Sequence, residues 1–164
     1  MGKKGIKCSK CGRETAAGKT VLVDGRHVCT ACMYGNLEPF RLYPIGFVRN
    51  SLKRKKKGFG VTGDRDNSRI ELLPSQKPFM HRIEEEKYLT IIYYLHESDS
   101  VRSVFKRGLD GKEVGVFSSR TPCRLSRLAV TEVELIKAEG TDLYVKGLDA
   151  VNGSPVVDIK LGRM

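Results

Sequence analysis

The sequence predicts a mostly β protein in which a small antiparallel β-barrel follows a compact cysteine-rich module. Two observations lead to this prediction. Short apolar stretches rich in β-branched residues recur along the chain with turn residues between them, and no long helical period appears. Four of the five cysteines fall within the first 32 residues. We therefore expect two modules, at residues 1–36 and 43–164.

Length and composition limit the classes of protein to consider. A chain of 164 residues can bury one core of ordinary domain size with a small appendage. Its 40% hydrophobic content argues against disorder, and no apolar run approaches the roughly 20 residues of a membrane span. The basic N-terminus is not followed by an apolar segment, so no secretory signal is predicted. We expect a soluble, cytoplasmic protein.

Two CxxC pairs define the N-terminal module. They are CSKC and CTAC, separated by 17 residues, and they contain Cys8, Cys11, Cys29 and Cys32. This spacing is typical of structural zinc sites, in which each pair supplies two thiolates to one tetrahedral ion. Between the pairs, TVLVDGRHVC predicts a hairpin with Asp24 and Gly25 at its tip. The pattern predicts a zinc ribbon, and the alternatives are two disulfides or a redox pair. His27 lies close enough to compete as a ligand, but four cysteines already fill the shell.

The net charge of +11 is concentrated in the first third of the chain. Residues 1–60 contain 14 Lys and Arg against 3 Asp and Glu, whereas residues 61–164 contain 16 of each. Clustered cations neutralise phosphates, so we favour a nucleic-acid partner over a basic surface that only aids solubility. The densest run is Lys53, Arg54, Lys55, Lys56 and Lys57. We expect an exposed loop there, either merely solvated or following RNA phosphates, with Phe59 available for stacking.

Seven stretches predict the strands of the second module. They are residues 45–49, 69–73, 89–95, 113–117, 128–136, 143–145 and 156–159. The apolar spacing that begins at Leu128 also suits a helix, but its β-branched content and a turn at Gly140 favour a strand. Short strands with turns between them usually close into a barrel, because closure removes exposed edges.

Three motifs in this module occur together in a known family. They are PIGFV at residues 44–48, VGVFSSRTPCR at 114–124 and GLDAVNGSPVVDIK at 147–160. In order and spacing, residues 43–161 resemble the bacterial and archaeal TrmO-like (YaeB) family. The last block is the most specific, since the family has a near-identical Asp-x-x-Asp-Gly-Thr-Pro-Val-x-Asp-Ile-Lys there. The cysteine-rich module is an addition to the usual family chain.

The resemblance implies a β-barrel methyltransferase that binds S-adenosylmethionine and acts, as a homodimer, on N6 of threonylcarbamoyladenosine in the tRNA anticodon loop. Position by position, it implies cofactor contacts at His96, Glu97, Arg120, Ala129, Val130, Asp149, Ala150, Val151 and Asn152. A sulfonium with an amino-acid end needs a carboxylate and an arginine between apolar walls, which Asp149 and Arg120 suit. Alternatively, Asp149 caps the turn toward Gly153, and Arg120 pairs with Glu113 or Asp158.

The loop that follows residues 113–117 is unusual for its arginines. We expect a buried strand to end there in hydroxyls, a proline, a cysteine and three arginines. Arg120 and the preceding serines can then face a cofactor carboxylate, while Arg124 and Arg127 face RNA phosphates. Cys123 has no second cysteine or poised base nearby, so we expect it to be packed rather than nucleophilic.

The chain departs from the family pattern on the substrate side. Where the family continues with Arg-x-Pro-Asn-Pro-Ile-Gly, this chain has RLSRLA, and the family's terminal tyrosine has no counterpart. Methyl transfer from a sulfonium needs mainly alignment, although a base would help an amide-like nitrogen attack. Asp158 is the candidate base by position, with a structural role as the alternative. A non-catalytic zinc-ribbon RNA-binding protein and a methyltransferase with a non-RNA substrate are the competing functions.

Overall fold

The computed structural model describes residues 5–54 and 61–163, and the chain divides into two compact units. The ribbon unit comprises Met1–Arg41 and Ser98–Ser126, and the barrel unit comprises Leu42–Glu97 and Arg127–Met164. The segment Ser98–Ser126 thus clusters with the cysteine-rich N-terminus. The expected domain boundaries, 1–36 and 43–164, stay a prediction, because this division does not test which segment folds on its own.

The described residues are mostly strands. These are β1 Ile6–Lys7, β2 Glu14–Thr15, β3 Thr20–Val23, β4 Arg26–Cys29, β5 Gly46–Arg49, β6 Lys53–Arg54, β7 Val61–Thr62, β8 Ser68–Leu72, β9 Tyr88–Tyr94, β10 Val104–Lys106, β11 Glu113–Gly115, β12 Leu128–Glu139, β13 Asp142–Lys146 and β14 Pro155–Leu161. One short helix, α1 at Thr30–Tyr34, and the 3-10 segments Ala17–Lys19, Pro74–Met80, Ile83–Glu85 and Val116–Ser118 complete the described elements. None of these helices is long and apolar enough to cross a membrane.

Six strands of the barrel unit close into an antiparallel barrel in the order β12-β13-β8-β5-β14-β9. Alternation directs Leu89, Ile91 and Tyr93 of β9 into a core where each is at most 3% exposed. Gly46 of the PIGFV motif lets β5 pack closely on β8, since a Cβ there would lie 2.5 Å from the Glu71 carbonyl oxygen. The prediction of a mostly β chain with a small antiparallel barrel is confirmed.

Strand β12 resolves the choice between helix and strand. It runs for 12 residues, pairs with β9 along its first part and with β13 along its second, and shows a register shift between Leu135 and Lys137. Gly140 then turns the chain with a φ of 61°. The β-branched residues therefore predicted the correct structure, and the helix-like apolar spacing reflects residues that contact different neighbours along one long strand.

The expected buried strand at residues 113–117 is wrong. Only β11 is extended, and it pairs with β10 in a two-stranded hairpin of the ribbon unit instead of joining the barrel. The chain then enters the Val116–Ser118 3-10 turn, where Val116 is buried and Phe117 is 83% exposed. The local hairpin with β10 satisfies the backbone N–H and C=O groups of β11, so this strand needs no neighbour in the barrel. The short apolar run at residues 114–117 therefore did not require burial on both faces.

The ribbon unit contains the predicted hairpin. Strands β3 and β4 pair antiparallel, and Asp24 and Gly25 connect them with φ values of 48° and 75°, as a two-residue hairpin turn requires. Cys8, Val28 and Cys29 form a small buried cluster behind this hairpin. Such a cluster is too small to stabilise a module alone, which is the usual circumstance in which a metal ion supplies the cross-link.

Candidate functional site

The four ribbon cysteines converge on one point. Their Sγ atoms all lie within 4.8 Å of one another, and those of Cys11 and Cys29 are 4.0 Å apart. A zinc ion with Zn–S bonds of about 2.3 Å separates its sulfurs by about 3.8 Å in a tetrahedral site. All five cysteines of the chain are free thiols, and Cys123 is buried apart from the cluster. The arrangement fits one zinc ion better than disulfides.

The surroundings of Cys8 and Cys11 favour their thiolates. The backbone N–H groups of Cys29 and Lys10 donate to Cys8 Sγ at 3.3 and 3.4 Å, and the first contributes most to lowering the pKa of Cys8 to about 6. The Arg13 guanidinium lowers the pKa of Cys11. Hydrogen bonding to Cys29 raises the pKa of Cys32 to about 12. Closely spaced thiolates repel one another, so a cation among them would allow all four to ionise.

The second group of candidate residues lies at one end of the barrel, which we call the barrel mouth: Asn50, Tyr93, His96, Thr131 and loop 148–154. Loop 148–154 joins β13 to β14 and follows the end of β5. Asn152 N donates to Leu52 O at 3.1 Å, Gly153 N to Val48 O at 2.8 Å, and Val48 N to Ser154 O at 3.0 Å. The loop that contains the family motif is therefore fixed to the barrel by backbone hydrogen bonds.

Asp149 is the acidic group of the barrel mouth. Its Oδ1 accepts hydrogen bonds of 2.6 Å from both Tyr93 OH and Thr131 Oγ1. Burial raises the pKa of Tyr93, and the adjacent Asp149 charge raises it further, so the phenol stays protonated and donates. Among the described residues, no donor to Asp149 Oδ2 is found, and Asp149 is exposed. The barrel thus holds one carboxylate oxygen and leaves the other available to a ligand.

His96 and Glu97 follow the end of β9. His96 Nδ1 lies 3.4 Å from the hydroxyl of the buried Ser154, which places the exposed imidazole beside loop 148–154. The Glu97 carbonyl accepts a 2.5 Å hydrogen bond from Arg54, at the start of the basic run. The structure therefore brings His96 together with the loop that carries Asp149, and it connects the first part of the basic run to the same strand end.

The other barrel residues predicted to contact the cofactor differ in burial. They are Ala129, Val130, Ala150 and Val151. Ala129 packs against the core, whereas Val130, its neighbour in β12, is 53% exposed on the outer face. Ala150 is buried and its carbonyl accepts from Asn50 Nδ2 at 2.9 Å, while Val151 is half-buried. Within one regular strand Ala129 and Val130 point to opposite faces, so their side chains do not both line one cavity. Their cofactor contacts stay a prediction.

Asp158 does not have the surroundings of a free base. Its Oδ2 lies 2.6 Å from Lys160 Nζ, and its Oδ1 accepts from Ile159 N at 2.9 Å. It stands next to a register shift in β14, between Val156 and Asp158. The ion pair and the local backbone bond agree with the structural alternative, and the catalytic role stays a prediction.

The predicted arginines occupy different settings. Arg120 is exposed in the ribbon unit. Arg124 in the same unit is half-buried, and its guanidinium donates to Ser119 O at 2.5 Å and Thr121 O at 3.0 Å. Arg127 begins the return into the barrel unit with a φ of 52°. Their contacts with cofactor or RNA stay predictions, and Arg124 already has a structural use.

The basic run begins on an ordered stem. Lys53 and Arg54 are exposed on β6, which pairs with β7. The predicted nucleic-acid residues Lys55, Lys56 and Lys57, together with Phe59, lie outside the described residues. RNA contact by this run stays a prediction.

Sequence reasoning missed Asn50, Tyr93 and Thr131. Asn50 Nδ2 donates to Ser68 Oγ as well as to Ala150 O, and Asn50 N donates to Asn152 Oδ1 at 3.1 Å. Tyr93 and Thr131 have inward positions in strands that otherwise read as apolar core. The sequence signal for Tyr93 and Thr131 was that a polar side chain occupies an inward position of an alternating strand. Such a residue marks the end of a barrel or a polar site.

Comparisons with known proteins show the family of the chain. A family model described as the tRNA-methyltransferase O N-terminal domain matches residues 53–161. The chain belongs to the TrmO family. A protein of Methanothermobacter thermautotrophicus, named as a probable S-adenosyl-L-methionine-binding protein, is 34% identical over 122 residues, which are 73% of this chain and 88% of that protein. The resemblance stated from the three motifs is thereby confirmed.

Two further similar proteins extend the comparison. A mouse tRNA (adenine(37)-N6)-methyltransferase is 35% identical over 81 residues, which are 48% of this chain and 19% of the mouse protein. The crystal structure of TrmO from Pseudomonas aeruginosa matches with a TM-score of 0.58 and 22% identity over 77% of this chain, and this likeness shows the fold. The chain spans 57% of the Pseudomonas protein and 33% of a longer Archaeoglobus fulgidus relative.

Proposed function

We propose that this chain is an S-adenosylmethionine-dependent methyltransferase that acts on N6 of a modified adenosine, threonylcarbamoyladenosine, in the tRNA anticodon loop. Membership of the TrmO family supports the reaction class, and the activity for which the mouse relative is named supports adenine N6 as the acceptor. We further propose a homodimer, a zinc ion in the ribbon unit, and a domain boundary between residues 36 and 43.

The observation that best supports the proposal is the held carboxylate of the barrel mouth. Tyr93 and Thr131 fix Asp149 Oδ1, and Oδ2 is left for an ammonium or a ribose hydroxyl of the cofactor. His96 and the backbone of loop 148–154 supply further polar groups beside it. When bound, the cofactor supplies a methyl group on a sulfonium, already activated toward a nucleophile.

The chain's own contribution to the reaction is mainly alignment. Asn50 connects loop 148–154 to strand β8, because it bonds Ala150 and Asn152 of the loop and Ser68 of the strand. A ligand that contacts loop 148–154 would therefore meet preorganised groups, which reduces the entropy lost on binding. Arg120 remains the proposed partner of the cofactor carboxylate on the basis of the motif match.

Calorimetric titration of S-adenosylmethionine tests the proposal. We expect the wild type to bind, and Asp149→Asn and Arg120→Ala each to weaken affinity about tenfold or more, because each loses a charge-assisted hydrogen bond. Lys112→Ala, an exposed cation of the β10–β11 hairpin, is the control and should bind as the wild type does. Binding that is absent with and without bulk tRNA would refute the methyltransferase function.

A second candidate function has one observation in its favour. The Asp158 carboxylate is paired with Lys160, so the residue proposed as base is not poised to accept a proton. A non-catalytic RNA-binding protein on a TrmO barrel would need no base. Transfer of labelled methyl from S-adenosylmethionine to bulk tRNA separates the two: transfer supports the enzyme, whereas RNA binding without cofactor binding supports the alternative.

A further inference from the structure

Phe117 is an exposed aromatic ring on an ordered support. Its side chain is 83% exposed, while the preceding Val116 is 6% exposed and anchors the turn. Val116 N donates to Ser103 O at 3.0 Å, and Ser119 Oγ donates to Val116 O at 2.8 Å. The ring buries little area in the fold, so its face is available to a ligand or partner.

Two arginines brace the turn from within the ribbon unit. Arg107 forms a bidentate ion pair with Asp110 and also donates from Nη1 to Ser118 O at 3.3 Å. Arg124 donates to Ser119 O and Thr121 O on the other side. Because the backbone that carries Phe117 is held at several points, little conformational entropy would be lost when the ring meets a partner.

The zinc ribbon holds this turn through Asp24. Its two carboxylate oxygens accept from Ser103 N at 2.9 Å and Ser103 Oγ at 2.6 Å. Val101 N donates to Leu22 O, and Asp24 N donates to Val101 O at 2.9 Å, so the segment lies along the end of β3. Ser103 bonds Asp24 with its N–H and hydroxyl and Val116 with its carbonyl. The support of Phe117 is thus continuous with the β3–β4 hairpin, which carries Cys29 at its end.

Charge indicates which partner this ring meets. The ribbon unit contains 14 Lys and Arg against 6 Asp and Glu, a net +8, whereas the barrel unit contains 16 against 13, a net +3. An apolar protein partner would not need this excess, while a single-stranded nucleic acid offers phosphates to the cations and flat bases to the ring.

We propose that the ribbon unit binds unpaired RNA, that Phe117 stacks on a base, and that Asp24 is the positioning residue that holds the Phe117 turn on the zinc ribbon. The proposal rests on the proposed function and deepens it by naming the surface that contacts the RNA. Stacking is tolerant of base identity, so this surface would supply affinity for a loop and leave the choice of adenosine to other groups.

The chain offers a matched control for Phe117. Phe79 is 81% exposed but lies in the barrel unit. Fluorescence anisotropy with the full chain would use a labelled anticodon stem-loop RNA and a fully paired duplex of equal length. We expect Phe117→Ala to weaken stem-loop binding about tenfold, Phe117→Tyr to retain it, and Phe79→Ala to change nothing. Duplex binding should be unaffected by all three.

The role of Asp24 is tested by hydrogen exchange together with stem-loop binding. We expect Asp24→Asn to increase hydrogen exchange at the amides of Ser103 and Val116 and to weaken stem-loop binding several-fold, with no added effect when Phe117 is already alanine. Asp64→Asn is the control, because Asp64 Oδ1 likewise accepts from a backbone N–H, that of Asp66, but lies in the barrel unit.

The outcomes separate this proposal from the proposed function. Unchanged stem-loop affinity in Phe117→Ala, with S-adenosylmethionine binding intact, overturns the proposal alone. A dimer that dissociates in Phe117→Ala also overturns it, because the ring would then contact a second copy. If the wild type binds no stem-loop, both this proposal and the tRNA substrate fail, while the cofactor titration still decides the methyl-donor site.

Discussion

The barrel unit and the ribbon unit are stabilised in different ways. In the barrel unit six strands form a closed sheet without free edges, and 14 buried residues of the described chain form one core. In the ribbon unit the strands form separate two-stranded pairs, and its buried cluster is Cys8, Val28 and Cys29. We expect the barrel unit to be stable by packing and the ribbon unit, which carries the larger positive charge, to depend on a cross-link between its cysteines.

Removal of zinc should have the largest effect, because it should unfold one unit and leave the other folded. We expect chelation, or Cys29→Ser, to unfold the ribbon unit and to leave the barrel unit protected, because structural zinc contributes about 10 kcal/mol or more to the folding of such modules. Hydrogen exchange resolved by peptide measures both units in one sample. Cys123→Ser is the control, since Cys123 is buried outside the cluster. Purified protein without stoichiometric zinc, or with disulfides between these cysteines, would contradict the expectation.

A substitution in the barrel core should destabilise the barrel unit and leave the ribbon unit folded, the reverse of zinc removal. Ile91 is fully buried at the centre of β9, so Ile91→Ala should lower the free energy of unfolding of the barrel unit by about 2–5 kcal/mol. The ribbon unit should keep its zinc. Urea titration followed by circular dichroism, with zinc content measured alongside, checks both statements. Val130→Ala, on the outer face of a neighbouring strand, should change stability by less than about 0.5 kcal/mol.

The barrel unit was also the part that the sequence predicted better. Alternating apolar residues predicted its strands, because a barrel wall requires one buried face. The 113–117 stretch was wrong, since five residues with two valines do not reveal whether their neighbour is a barrel strand or a local hairpin partner. Spacing predicted the cysteine cluster well because a CxxC turn fixes two ligands locally. Tyr93, Thr131 and Asn50 were missed because their partners lie far away in the sequence.

Tyr93 tests whether the barrel mouth is organised for a ligand. Tyr93→Phe removes one of the two hydroxyl donors to Asp149 Oδ1 and leaves the ring in the core. We expect affinity for S-adenosylmethionine to fall about threefold to tenfold with a stability change of about 1 kcal/mol. Tyr144→Phe is the matched control, because Tyr144 lies on β13 and the hydroxyl donors to Asp149 are those of Tyr93 and Thr131. Equal affinity in the two variants would show that the position of Asp149 does not matter for the cofactor.

The smallest expected effect concerns the basic run, the main excess of charge in the barrel unit. Neutral residues at 53–57 should weaken tRNA binding and make its salt dependence shallower, by roughly 0.7–0.9 in slope for each phosphate that the run no longer neutralises. Phe117→Ala should weaken binding at an unchanged slope, since no cation is removed. Affinities measured from low to high salt separate these two contributions. If the slope is unchanged by the substitutions at 53–57, the run is only solvated, and RNA recognition by cations belongs to the ribbon unit alone.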